Sequence, residues 1–113
     1  MRAELRRGAQ LFDAGHYWEA HEAWEGVWMA AKAREDALET HYVQGLILLA
    51  AALHKARVLH SVRGGQLNLA KARKHLERLP DAHGAADHLP SLERLLWDVE
   101  RALEPNSSAP RLL

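Results

Sequence analysis

The chain has 113 residues, 48% of them hydrophobic, enough for one domain to bury a core without covalent staples. It contains no cysteine, which excludes disulfides, thiolate metal sites and cysteine nucleophiles. Lysine plus arginine and aspartate plus glutamate number 15 each, so neither a nucleic-acid surface nor a membrane surface built on net charge is expected.

Strand signals are nearly absent, while Ala and Leu recur at three- and four-residue spacing and Gly and Pro sit almost only at breaks. The opening MRAELRRGAQLF lacks the continuous apolar stretch of a signal peptide, so a cytoplasmic location is expected. The spacing predicts a first helix over about Arg2 to Ala14, closed by Gly15. A second follows over His16 to Ala33. Its segment YWEAHEAWEGVW, Tyr17 to Trp28, holds three of the four tryptophans, a histidine and three glutamates. At about 100° per residue, Trp18, His21, Glu22, Glu25 and Trp28 share roughly a third of the helix circumference. Ionisable groups thus lie beside large apolar rings, where loss of water tunes acid-base groups.

A third helix is predicted over Asp36 to His60. Thr40 to Leu53, THYVQGLILLAAAL, carries no charge and is apolar on every side, which belongs in the middle of a bundle. It is shorter than the roughly 20 apolar residues a membrane span needs. Gly45, Ala50, Ala51 and Ala52 allow neighbouring helices to approach closely. Trp28, Ile47 and Leu48 are expected to be deeply buried. The fourth and fifth helices are predicted over Gln66 to Leu79 and Pro90 to Leu103, joined by a linker, PDAHGAADHL, with little to bury. Residues 1–104 read as a single helical domain and 105–113, PNSSAPRLL, as a flexible tail.

Two longer patterns run through these elements. Gly15, Tyr17 and Ala20 are matched 50 residues later by Gly65, Leu67 and Ala70, which suggests two hairpins with like turns. Charge is also segregated. Residues 13–39 carry seven acids against two bases, residues 54–78 seven bases against one acid, and residues 79–104 six acids against two bases. Helices of opposite sign attract one another, and the basic stretch has no aromatic residue to stack on a nucleic-acid base. The expected fold class is therefore all-α: a compact bundle of about five helices, built from two helical hairpins plus a C-terminal helix.

The run AGHYWEAHEAWEGVW, followed by QGLILLAAALHKAR and a glycine turn, resembles the family known as domain of unknown function 309. Its hallmark is a histidine-glutamate pair with a glutamate three residues on and a tryptophan three beyond, here His21, Glu22, Glu25 and Trp28. A glutamine-glycine pair opens the apolar helix, here Gln44 and Gly45. The resemblance spans about residues 6–79 and implies a compact all-helical fold but no reaction. One departure lies at the second glycine turn, where Gln66 replaces an asparagine and Leu69 a second glycine.

The segment HEAWE is one residue short of a zinc-protease motif, with Glu25 in place of the second histidine. His21 and Glu25 would face one way, and His41 or His54 of the third helix could add a ligand. No helix carries the Glu-x-x-His pattern of a di-iron bundle. For acid-base work His21, Glu22 and Glu25 are the catalytic candidates. No glycine-serine elbow, no phosphate loop and no serine before Ser61 supplies a nucleophile. Ligand-binding candidates are Trp18, Trp28, His41 and Gln44. His16, His60, His75, His83 and His88 read as incidental. The preferred reading is a protein-interaction or self-association module, a homodimer through LERLLWDVERAL, in which His21, Glu25 and Gln44 form a satisfied structural network. The alternative is a small-ligand-binding protein or hydrolase-like enzyme using the His21, Glu22 and Glu25 face, with or without a metal. No cofactor is expected.

Overall fold

Five α-helices form, the last three of them opened by a capping side chain, and the computed structural model describes residues 2–113. Helix α1, Ala3–Asp13, buries Leu5, Gly8, Ala9 and Phe12 at helical spacing. It ends at Gly15, whose φ of +83° a side chain would disfavour. Helix α2, Tyr17–Ala33, buries Tyr17, Ala20, Trp24, Val27 and Ala31. Helix α3, Ala37–Leu53, starts where the Asp36 carboxylate accepts from the backbone N–H of Glu39 at 3.1 Å. It packs along both α2 and α4 and supplies the largest share of the core, as a helix apolar all round must. Among the described residues no strand is present.

The expected third helix does not run evenly to His60. At His54–Val58 it widens into a π-turn, in which the Leu59 N–H donates to the His54 carbonyl five residues back at 3.0 Å. Helix α4 then spans Val62–Leu76, four residues ahead of the expected start, because Ser61 caps it by accepting from the Gly64 N–H at 3.1 Å. Gly64 and Gly65 therefore lie inside α4 and form no turn. The apparent repeat fails with them: Tyr17 and Ala20 are core residues, whereas Leu67 and Ala70 face solvent. A Cβ on Gly45 would run into Leu76, so this glycine does set the approach of α3 and α4.

The stretch expected as a bare linker contains a 3-10 turn at His83–Asp87 with Gly84 and Leu89 buried. Helix α5, Leu92–Ala102, capped by Ser91, buries Leu92, Leu95, Val99 and Ala102. Residues 105–113 run back to the end of α1. The N–H groups of Leu112 and Leu113 donate to the Asp13 carboxylate at 2.6 and 3.0 Å, and Leu112 enters the core cluster. Opposite charge does join helices, as in the Arg73–Glu100 pair between α4 and α5 at 2.7 Å. Both groups are well exposed, so the pair adds little stability.

Burial of α2 differs from expectation in phase. Trp24, fully buried, is the core tryptophan, and Trp28 is only partly buried, with the Lys32 ammonium 4.9 Å from its ring centre. Ile47 is buried and Leu48 partly so. The apolar stripe is centred between Trp24 and Val27, so Trp28 falls roughly 60–70° to one side of it.

Candidate functional site

Beside its core stripe, α2 carries a second stripe that begins at Trp18. Because Trp18 follows the buried Tyr17 by one residue, its indole is turned outward and stays 46% exposed. The His21 imidazole stacks on it in parallel, 4.6 Å between ring centres and 10° between planes. One turn on, Glu25 places Oε1 3.2 Å from His21 Nδ1, with side-chain exposures of 17% for His21 and 51% for Glu25. That approach lies off hydrogen-bond angles, so the buried Nδ1 has no hydrogen-bond partner. Glu22 points to solvent, and Gln44, half-buried on α3, is not bonded to either group. The satisfied His21–Glu25–Gln44 network expected from the sequence is replaced by a loose pair.

The other neighbour of Trp18 comes from the π-turn. His54 lies with its ring centre 5.4 Å from the indole at 43°. Between the start of α2 and the end of α3 opens a cleft of about 430 Å³, lined by Trp18, Glu19, Ala51, His54, Lys55 and Leu59. The π-turn supplies His54 and Lys55 to this cleft and leads directly into Leu59. Chemically, the face offers an imidazole with a carboxylate near it, an indole wall and a lysine.

His41 does not join this face. Its Nδ1 lies 3.0 Å from Nδ1 of His75 on α4, a contact that requires one N–H donor and one lone pair. The four metal candidates are thus divided: His21 with Glu25, His54 with Trp18, and His41 with His75. Among the described residues no three His, Asp or Glu side chains converge as a metal site.

The His41–His75 contact has a pH consequence. Burial first, then His41 and Arg78, hold the His75 pKa below the ordinary 6.5. A histidine whose folded pKa is depressed stabilises the fold above its unfolded value and loses that stability as pH falls through the folded value. Melting temperature is expected to fall from about pH 7 to pH 5 more steeply in the parent than in His75→Phe. Parallel slopes in the two proteins would contradict the assignment.

A polar cluster that the sequence reading did not foresee lies at the opposite end of α3. Arg2 bonds Glu39 at 2.8 Å and Asp87 at 3.2 Å, and His83 Nε2 lies 3.4 Å from Glu39. Beneath them the Tyr42 hydroxyl is buried without a partner, and a Cβ on Gly84 would meet it. Burial, then Glu39 and Asp87, raise the Tyr42 pKa well above its ordinary value of 10.0, so the phenol stays neutral. The cluster ties the chain start to the 3-10 turn, and nothing in it is placed to act as a nucleophile. His83, set in a low-complexity stretch of Ala, Gly and Asp, carries no periodic signal that could have identified it. Lys55 and Leu59 escaped notice because their position depends on the π-turn, which apolar periodicity does not encode.

No helix of the described residues is long and apolar enough to cross a membrane. No curated protein and no solved structure matches the chain. The family model described as Domain of unknown function (DUF309) matches residues 5–66, the part that contains α1 to α3, the π-turn and the Trp18 cleft. With more than half of its length matched, the chain belongs to the DUF309 family.

Proposed function

We propose that the protein is a self-association module whose α4–α5 surface pairs with a second copy of itself. The observation that carries this reading is Trp97. It stands 60% exposed on α5 at the edge of a groove of about 700 Å³ between α4 and α5. Leu76, Leu79, Leu92 and Leu96 give the groove an apolar floor. An exposed tryptophan beside an unfilled apolar groove is a projection and a recess on one patch. A two-fold pair needs that combination, because the same patch must serve both partners. The groove rim supports the same partner: Arg73 and Arg94 lie among Glu77, Asp81, Glu93 and Glu100, so each copy brings both signs of charge. Buried tryptophans in such contacts are frequent sources of binding energy.

Light scattering at micromolar concentration is expected to give twice the 12.7 kDa chain mass for the parent. Trp97→Asp is expected to give a single chain mass with unchanged helical circular dichroism, since Trp97 contributes little to the core. A single-chain mass for the parent, or a dimer undisturbed by Trp97→Asp, would overturn the reading.

A further inference from the structure

We propose that the cleft beside Trp18 is a binding site for a small planar aromatic anion, independent of the α4–α5 surface. Four observations meet here. The cleft of about 430 Å³ lies within the size range of small-molecule pockets, about 300–1,000 Å³. Its wall is an aromatic series: His21 stacked on Trp18, and Trp18 inclined to His54. His21 covers the indole on one side, yet Trp18 keeps 46% exposure, which leaves indole surface for a further ring. Leu59, itself 59% exposed, and Ala51 give the remaining lining an apolar character.

The charge of the ligand follows from the polar groups at the cleft. Lys55 holds a single long bond, 3.5 Å to the Oδ1 of Asn68, so its ammonium retains donors for a ligand. His54 can add a ring N–H. The one acid in the lining, Glu19, is turned toward His16, with 3.3 Å between carboxylate and ring nitrogen. With Glu19 directed at His16, Lys55 is the lining charge without an ionic partner among the described residues, which favours an anion. An aromatic carboxylate meets both demands, its ring on Trp18 and its oxygens at Lys55 and His54. A flat ring loses little conformational freedom on binding, which suits an open cleft whose walls are single side chains.

Calorimetric titration of the full chain with 1-naphthoate, 1-naphthamide and 1-naphthylmethylammonium tests the site. Naphthoate is expected to bind, with the amide about tenfold weaker because it lacks the charge-assisted bond. Trp18→Ala is expected to abolish binding. Lys55→Met, which keeps the apolar stem, should lower naphthoate to the level of the amide. Ala51→Leu provides a second block that leaves both Trp18 and the charges in place, and it too should abolish binding. Melts of each variant show that the fold is intact, and Trp97→Asp should bind naphthoate as the parent does. Equal binding of acid and amide, preference for the ammonium, naphthoate binding that survives Trp18→Ala, or no binding at millimolar naphthoate would each overturn the proposal.

Discussion

Trp24→Ala is expected to lower stability by about 3–5 kcal/mol, the range for removing a fully buried large aromatic residue. Trp24 has no exposed surface and lies at the seam of α1 and α2, 6.0 Å from Phe12 between ring centres. Its indole Nε1–H donates to the Leu5 carbonyl at 3.1 Å, so the ring is held in orientation as well as in place. The cavity left behind would be lined by Phe12 and the first turns of α1, and α1 has few other large side chains with which to close it. Trp18→Ala supplies the contrast. That residue is half open to solvent, and its loss should move the melting temperature little. Chemical denaturation of the two variants, which sit about one and two-thirds turns apart on one helix, separates the core stripe from the site stripe. Equal losses would mean that the stripes are not distinct.

That contrast also measures how much the sequence discloses. Helix number, order and type were legible because the core positions recur at three and four residues, and the uncharged run in α3 could only be central. The phase of α2 was harder. Trp24 and Trp28 are one turn apart and chemically identical, and which of them faces α1 depends on Leu5, Gly8 and Phe12, residues of another helix. At the candidate site, Trp18, His21 and Glu25 were visible as a stripe on one element. Across the cleft, His54 was visible only as a candidate metal ligand, and Lys55 and Leu59 not at all, since they lie in and just beyond a π-turn that apolar periodicity does not encode. His41 and His75 lie 34 residues apart on two helices, the second of which starts four residues earlier than expected, so no spacing rule could pair them.

Gly8→Ala is expected to destabilise the fold by about 2–3 kcal/mol, although alanine is the better helix former by up to about 1 kcal/mol. A Cβ on Gly8 would lie inside the Trp24 indole, overlapping Nε1, Cδ1 and Cε2. A flexible side chain could swing aside. The indole is rigid, fully buried and bonded to Leu5, so either the ring or the whole of α1 must move, and the Nε1–H bond is strained or lost in both cases. Overpacking therefore outweighs propensity while the indole is present. Once Trp24 is alanine, the same methyl enters an emptied space and only the helix-propensity gain remains, so Gly8→Ala should then stabilise by about 0.5–1 kcal/mol. The effect of one methyl group is thus expected to change sign with the residue it faces. A Gly8→Ala loss of similar size in both backgrounds would show that glycine at this position serves something other than the seating of Trp24.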